Sequence, residues 1–305
     1  MSSPFRNAPP DRMVTEAIEA GRGARRRSRF IVVGSGKGGT GKTFLAANLA
    51  IQWSLWGKRV VLVDADLGLA NLHVVLGLDP EAHVMALLQS RRSRNGQGRE
   101  LLVPGPAGVQ LLPGGSGVEH LASLNRSELR RLVQRLEPCL DDFDVVVVDL
   151  SAGISKSTLL FLSAAAEILL VSNPDPSAIL DAYAVIKVLS HSSIQERRVH
   201  LIMNRVRDVV AANHAGSRIL ATTEKHLQQQ VKMLGLVPED DAVAISMARR
   251  QPFLLDRPNS PAAGAIRSVA RRLLSSDGAD ARASTTAFFA RSAELLAPRR
   301  RAPSR

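Results

Sequence analysis

Short apolar runs alternate along the chain with longer segments in which apolar residues recur at helical spacing. The predicted strands are 30–33, 60–63, 109–112, 144–148, 168–171, 199–203 and 234–237. Several of these runs show no alternation of polar and apolar positions, which is typical of strands buried on both faces of a parallel sheet. The predicted helices lie at about 42–56, 127–139, 156–165, 177–190, 217–232 and 261–274.

This order of strands and helices predicts the fold class. Strands that alternate with helices favour an α/β fold with a doubly wound, mostly parallel β-sheet flanked by helices. Ligands of such sheets bind at the carboxyl ends of the strands. We therefore expect the functional residues directly after the predicted strands.

A glycine-rich segment, Gly-Lys-Gly-Gly-Thr-Gly-Lys-Thr at 36–43, follows the first predicted strand and opens a helix. It satisfies the phosphate-loop pattern G-x-x-x-x-G-K-[ST]. Its glycines let backbone N–H groups curl around a phosphate, and the helix N-terminus points its positive end at the same group. Lys42 would reach the β and γ phosphates, and the Thr43 hydroxyl would reach Mg²⁺. The expected nucleotide contacts of the loop are Gly36, Lys37, Gly38, Gly39, Thr40, Gly41, Lys42, Thr43 and Phe44.

A second lysine, Lys37, is not needed by an ordinary phosphate loop. With it, the segment resembles the deviant Walker A loop of the MinD/ParA family of ATPases. The resemblance covers about 29–275 and includes DADLGLANL at 64–72, DLSAGI at 149–154, NPDP at 173–176, MNR at 203–205 and VPED at 237–240. Within that family, LDAYAVIK at 180–187 and RQPF at 250–253 are most similar to the FlhG-type subgroup.

The resemblance implies a P-loop NTPase of the deviant Walker A type that binds ATP and Mg²⁺. Such proteins form an ATP-dependent homodimer, in which Lys37 would cross the interface to the phosphates of the partner subunit. Hydrolysis to ADP and phosphate would be slow and stimulated by an activating or effector protein. The implied role is control of the placement or number of a cellular structure such as the flagellum or the division site.

Three aspartates follow predicted strands, where phosphate and Mg²⁺ would lie. By resemblance, Asp149 is the Walker B carboxylate that holds Mg²⁺ through a bound water. Asp66 would orient the attacking water, which makes Lys37, Lys42 and Asp66 the expected catalytic residues. Asp64 is a further candidate metal ligand. For each aspartate, the alternative is a helix cap or a turn in a loop.

Further nucleotide contacts are expected at the ends of later strands. Gly153 would place a backbone N–H near the γ-phosphate. Asn204 follows a buried strand, and its amide could pair with the N6/N7 edge of adenine, whereas the alternative is a strand-end cap. The resemblance adds Arg205 and Pro238 to this set.

The chain departs from the family pattern at three places. Phe44 replaces a small polar residue, so a side-chain hydroxyl contact to the α-phosphate is lost while the backbone N–H remains. Leu150 occupies a position that is normally small or polar in the second switch. The segment 11–14 does not reproduce the N-terminal element that stimulates a partner GTPase in FlhG-type proteins.

Composition narrows the function classes. The chain of 305 residues has 40 Lys and Arg against 28 Asp and Glu, a net charge of +12, which favours a polyanionic partner. Cys139 is its one cysteine, so a disulfide framework, a Cys-rich zinc module and a self-contained iron–sulfur site are excluded. The first thirty residues have no apolar segment typical of a secretory signal, so we expect a cytoplasmic protein.

The termini are predicted to lie outside the ATPase domain at 29–275. Residues 1–28 form a basic tail, and 276–305 comprise a linker, an amphipathic helix and a basic end. Phe288, Phe289, Leu295 and Leu296 would share one face of that helix and bind an anionic membrane from its cytoplasmic side. The alternatives are a helix docked on the protein's own core and a frayed tail.

Two other functions remain open at this point. The first is a ParA-like partitioning ATPase whose dimers bind DNA without sequence preference; steep salt dependence would reveal it. The second is a weakly hydrolysing, nucleotide-binding regulator of a transcription factor.

Overall fold

One sheet runs through the part of the chain that the structure, a computed structural model, describes: residues 28–66, 71–81, 97–114, 135–136, 139–191, 197–275, 288 and 291. Its strands are β1 (Arg29–Gly34), β2 (Val60–Ala65), β3 (Val103–Pro104), β4 (Gln110–Leu112), β5 (Val145–Leu150), β6 (Glu167–Ser172), β7 (Arg198–Val206) and β8 (Val231–Pro238). They lie in the order β3-β4-β2-β5-β1-β6-β7-β8. All neighbouring strands are parallel except β3, which is antiparallel to β4.

Helices cover both faces of this sheet. They are α1 (Lys42–Leu55), α2 (Leu72–Leu76), α3 (Lys156–Ala164), α4 (Pro176–Ser190), α5 (Val209–Leu227), α6 (Asp241–Ala248), α7 (Phe253–Asp256) and α8 (Pro261–Ser275). Helices α3, α4 and α5 pack on one face, whereas α1, α2, α7 and α8 pack on the other. The predicted doubly wound, mostly parallel α/β fold is confirmed.

The central strand β1 shows why the apolar runs lack alternation. Phe30 and Val32 belong to the core on the α3–α5 face, and Ile31 and Val33 belong to the core on the α1–α8 face. All four side chains are buried. Because both faces of the strand are covered, the positions from Phe30 to Val33 are all apolar.

One predicted helix is displaced along the chain. The sequence predicts a helix at 217–232, but α5 spans Val209–Leu227. Its start is fixed by Asp208, whose carboxylate accepts hydrogen bonds from the N–H of Val210 and Ala211 at 2.8 and 3.0 Å. Its end is earlier than predicted because residues from Val231 onward belong to β8. Most of the predicted helix at 127–139 lies outside the described residues.

A buried ion cluster lies at the amino ends of β1, β6 and β7, opposite the edge where ligands bind. Glu167 accepts two hydrogen bonds from Arg29, at 2.7 and 2.9 Å, and lies 3.0 Å from Nε2 of His200. Arg198 contributes a further contact of 3.2 Å. Burial raises the pKa of Glu167, but the hydrogen bonds from His200 and Arg29 outweigh it and lower that pKa to about 2. The cluster therefore holds the carboxyl group as an anion inside the fold.

The structure corrects the expectation for Phe288, which the sequence assigns to a membrane-facing surface. Its side chain is 2% exposed and lies in the core, with ring centroids 4.3 Å from Phe30 and 6.1 Å from Phe161. At this residue, the structure matches the alternative of docking on the protein's own core. Phe289, Leu295 and Leu296 lie outside the described residues. Among the helices that are described, none has the length and apolar character needed to cross a bilayer.

Candidate functional site

The glycine-rich loop joins β1 to α1 at the carboxyl edge of the sheet. Gly39 and Gly41 both adopt a positive φ, of 76° and 87°. A Cβ on Gly41 would also lie 2.2 Å from Nδ2 of Asn204, and a Cβ on Gly36 would lie 2.4 Å from the carbonyl carbon of Asp181 in α4. Gly38 borders open space. The loop is therefore packed tightly at both ends and open in the middle, as a loop that receives a phosphate must be.

A buried ion pair connects this loop to the neighbouring strand β5. The ammonium of Lys42 lies 2.7 Å from Oδ1 of Asp149 and 3.2 Å from the hydroxyl of Thr43. The side chains of Lys42 and Asp149 are 6% and 1% exposed. Burial raises the pKa of Asp149, and the charge of Lys42 opposes that effect. The two charges thus compensate each other inside the site.

The residues around this pair fit a magnesium ion that is shared with a nucleotide. Oδ2 of Asp149 is buried and has no hydrogen-bond partner among the described residues. Together with the Thr43 hydroxyl it supplies the oxygen donors that Mg²⁺ prefers. No three His, Cys, Asp or Glu side chains of the described segments gather into a complete metal site. Phosphate oxygens and water would have to complete the coordination.

Asp64 lies beside Asp149 in the sheet register, but its contacts are structural. One oxygen accepts a hydrogen bond from the N–H of Asp66 and the other from the N–H of Leu72 at the start of α2, both at 3.2 Å. This arrangement supports the helix-capping alternative for Asp64 over a metal ligand. Burial and the neighbouring Asp149 raise the pKa of Asp64 to about 7.

The two expected switch segments contact each other through a hydrogen bond that the sequence did not predict. The hydroxyl of Ser151, just after β5, donates to Oδ1 of Asp66 at 2.9 Å. Two residues further on, the N–H of Gly153 donates to the carbonyl of Ser35 at 2.8 Å. Asp66 is thus held at the carboxyl edge, next to the loop. Residues 67–70 lie outside the described part of the chain.

Lys37 is exposed, unlike Lys42 on the same loop. Its ammonium donates to the hydroxyl of Ser177, in the first turn of α4, at 2.7 Å. Sequence reasoning missed Ser177, although its position directly after the Asn-Pro-Asp-Pro segment placed it at a helix start on the same edge.

The remaining expected nucleotide contacts, Asn204, Arg205 and Pro238, lie near the end of β7 and at the end of β8. Asn204 is 4% exposed and donates from Nδ2 to the carbonyl of Thr40 at 2.7 Å. Arg205 has a φ of 56° and donates to the carboxylate of Glu239 at 2.9 Å, and more weakly to the Gly39 carbonyl at 3.4 Å. Pro238 ends β8 beside them. Asn204 therefore shapes the loop directly, and its contact with adenine stays a prediction.

Phe44, the departure at the end of the loop, directs its side chain into the core. It is 8% exposed and its ring lies 5.3 Å from that of Phe253 in α7. Asn48, one turn later, donates to the Phe44 carbonyl at 2.8 Å and accepts from the N–H of Leu254 at 3.1 Å. The Phe44 ring thus packs against α7, while the Phe44 backbone remains part of the turn that begins α1. Leu150, the second departure, is likewise fully buried.

The comparisons with known proteins agree with this geometry. The sequence model of the CobQ/CobB/MinD/ParA nucleotide binding domain matches residues 31–253. The antiactivator FleN of Pseudomonas aeruginosa is 34% identical over 245 residues, which cover 80% of this chain and 86% of FleN. The flagellum site-determining protein YlxH of Helicobacter pylori is 31% identical, with 81% and 82% of the two chains covered.

Solved structures show the same fold. The cell division ATPase MinD of Pyrococcus furiosus superposes with a TM-score of 0.67 at 27% identity, covering 81% of this chain and 99% of MinD. MinD of Pyrococcus horikoshii, solved with Mg-ADP, gives 0.65 at 26% identity, covering 82% and 98%. From the loop, the ion pair on β5 and these matches together, we conclude that the chain belongs to the CobQ/CobB/MinD/ParA family of nucleotide-binding domains.

Proposed function

We propose that this protein is a MinD-type ATPase that binds ATP and Mg²⁺, dimerises with ATP bound and controls the placement or number of a cellular structure. One observation carries the proposal: the loop presents a buried lysine, Lys42, to its own site and an exposed lysine, Lys37, to the surface. Two kinds of relative support the cellular role: YlxH is a flagellum site-determining protein, and the MinD proteins of Synechocystis and Bacillus subtilis are septum site-determining proteins. The cellular structure whose placement or number this protein would control is therefore a flagellum or a division site.

Catalysis would rest on positioning and on charge compensation. Lys42 would transfer its ammonium from Asp149 to the β and γ phosphates. Asp66, held by Ser151, would orient the attacking water. Thr43 and Asp149 would hold Mg²⁺, which neutralises phosphate charge when it is bound.

Surface residues beside the loop support a homodimer. Ile154 in the second switch is 53% exposed, and Leu180 on α4 is 68% exposed. Leu180 directly precedes Asp181, against which Gly36 of the loop is packed. Large apolar side chains next to a phosphate loop fit a surface that a second copy covers. Lys37, on the same surface, would then leave Ser177 and reach the partner's phosphates.

The test is the oligomeric state of Lys37→Ala with a non-hydrolysable ATP analogue and Mg²⁺, measured by multi-angle light scattering. The variant should bind the analogue and stay monomeric, while the wild type dimerises. Ser177→Ala is the matched control, since it removes the partner of Lys37 but keeps the lysine, and it should dimerise normally. A Lys37→Ala dimer of wild-type affinity would refute the cross-interface role.

Membrane contact through the C-terminal segment is the second part of the proposal. Since Phe288 is buried, this contact would use Phe289, Leu295 and Leu296. Co-sedimentation with anionic liposomes and ATP should be lost in Leu295→Glu, and Ser292→Glu controls for the added charge. Equal pelleting of Leu295→Glu and wild type would exclude this contact.

Two observations favour the alternative functions. The net charge of +12 favours a ParA-like, DNA-bound ATPase. ATP-dependent binding to a DNA duplex should therefore be measured at two salt concentrations, in parallel with binding to liposomes. The description of FleN as an antiactivator favours a regulator of a transcription factor. Such a regulator would turn over ATP no faster than its own Asp66→Ala variant.

A further inference from the structure

The last strand in the order of the sheet, β8, borders a groove that is separate from the nucleotide site. In the described part of the chain β8 pairs with β7 alone, so its other row of backbone N–H and C=O groups faces outward. Helix α5 packs on one face of β8 and α8 on the other. Between them opens a groove of about 540 Å³, whose lining includes Asn213, Met233, Gly235, Leu236, Ser268 and Arg272.

The walls of this β8 groove are fixed by close packing. A Cβ on Gly216 in α5 would lie 2.6 Å from Sδ of Met233 in β8. On the other side, Val269 of α8 is 2% exposed and belongs to the same core as Leu234. The groove therefore exists before any ligand arrives, which lowers the entropic cost of binding.

The edge strand β8 is long, and one side chain, Arg272, shields part of its outer edge. β8 has eight residues, and long edge strands expose backbone groups to which another strand can pair. The register with β7 shifts at Leu234, and the guanidinium of Arg272 donates to the Leu234 carbonyl at 2.7 Å. Arg272 thus covers one backbone acceptor and places a positive charge at the edge.

The charge of the groove selects the kind of segment that can bind. Among the residues that the structure describes, no acidic side chain lines the groove, while Arg272 lies within it and Lys232 is exposed at the start of β8. Asn213 and Ser268 add polar groups at the two rims. A second copy of this basic chain, with its net charge of +12, is a poor electrostatic match.

We propose that the β8 groove binds an acidic, extended segment of a partner protein, which adds to the sheet as a further strand alongside β8. Backbone hydrogen bonds to β8 would supply affinity, and Arg272 and Lys232 would select carboxylates. The lining of the groove includes none of the expected nucleotide contacts, and the one that β8 carries, Pro238, lies at the end of the strand, outside that lining. Binding there leaves the nucleotide pocket accessible.

The test uses a random twelve-residue peptide library displayed on phage, selected on the full chain. The enriched peptides should be rich in Asp and Glu and in β-branched residues. The best peptide should bind the wild type by fluorescence anisotropy, and Arg272→Glu should weaken it on the order of tenfold or more. Arg271→Glu, a reversal of the neighbouring charge on α8 outside the groove lining, should stay within about twofold of wild type.

Two further measurements separate strand addition from attraction of charge alone. Hydrogen exchange should slow at the amides of 232–236 when the peptide is bound. A peptide N-methylated at alternate residues keeps its charge but loses backbone donors, and it should not bind. Failure of the library to enrich, equal binding by Arg272→Glu, binding of the N-methylated peptide or protection elsewhere would each overturn the proposal.

Other occupants of the groove have their own signatures. Displacement of the peptide by a 20-base-pair DNA duplex would assign the β8 groove to nucleic acid. A change in the oligomeric state of Arg272→Glu without nucleotide would assign it to a second copy of the chain. Either result overturns the acidic-segment proposal, and neither depends on the ATPase activity.

Discussion

The ammonium of Lys42 lies 2.7 Å from a carboxylate oxygen of Asp149, and both side chains are buried. The pair sits where β1 and β5 run side by side, so the sheet itself sets the distance between loop and strand. Phosphate oxygens entering this site would compete with Asp149 for the same ammonium. The pair therefore links nucleotide binding to the integrity of the fold.

Removing Lys42 should abolish ATP binding and also destabilise the free chain. Lys42→Ala leaves Asp149 buried without its counter-charge, a loss of about 3–5 kcal/mol in the free energy of unfolding. A fluorescent ATP analogue and urea unfolding would measure the two effects. Lys42→Met combined with Asp149→Asn should recover stability but not binding. Micromolar affinity in Lys42→Ala would contradict the assignment of the loop.

Asp66→Ala should trap an ATP-bound dimer. Loss of the carboxylate that we propose to orient the attacking water should lower turnover by about 100-fold or more while binding is kept. Phosphate release and light scattering would show the two results together. Ser151→Ala, which removes the hydroxyl that holds Asp66, should slow turnover by a smaller factor. Wild-type turnover in Asp66→Ala would remove its catalytic role.

The stability of the fold should decrease in acid because of Glu167. Its pKa is about 2 in the folded chain and near 4.5 when unfolded, so the unfolded state binds the proton first as pH falls. The stabilisation, about 3 kcal/mol, is complete above pH 4.5 and is lost as pH falls from there towards 2. Urea unfolding at pH 7 and pH 3 would measure it.

The Glu167→Gln variant provides the control for that pH effect. It should be less stable at pH 7 by about 3–5 kcal/mol, because Arg29 and Arg198 lose their counter-charge. Its free energy of unfolding should also decrease less between pH 7 and pH 3 than that of the wild type. An equal drop in both proteins would place the acid sensitivity in other groups.

Phe288→Ala should lower the free energy of unfolding by about 3 kcal/mol, since a buried aromatic ring is deleted. Phe161→Ala and the double variant complete a cycle, in which we expect a coupling of about 1 kcal/mol between the stacked rings. Urea unfolding of the four proteins would give the coupling energy. A Phe288→Ala variant as stable as wild type would contradict the docking of this segment.

The sheet could be predicted well from the sequence because burial on both faces of its strands requires runs of apolar residues. Strands covered on two faces carry unbroken apolar runs, such as Phe30 to Val33, and the loop must carry its glycines where the backbone turns. The start of α5 was predicted too late, because Val209 and Val210 are β-branched and exposed, and the cap at Asp208 decides the boundary.

Long-range polar contacts were beyond prediction from the sequence. Lys37 with Ser177 joins residues 140 positions apart, and Ser151 with Asp66 joins residues 85 apart. For Ser151 nothing local in the sequence marks its partner, and for Ser177 the sequence indicates only the start of a helix on the same edge, not its contact with Lys37. The membrane expectation for Phe288 failed for a related reason: an apolar helical face fits a bilayer and a protein core equally well.

The N–H of Gly153, which the resemblance assigns to the γ-phosphate, is hydrogen-bonded to the Ser35 carbonyl in this structure. A terminal phosphate that takes up this N–H must first break the bond, and one such bond contributes only about 1 kcal/mol. If Gly153 binds the γ-phosphate, as the resemblance implies, a single phosphoryl group would supply enough free energy to release this segment. Loss of that phosphoryl group would let the Gly153 N–H bond the Ser35 carbonyl again, so the same hydrogen bond would break when the phosphate binds and re-form when it leaves.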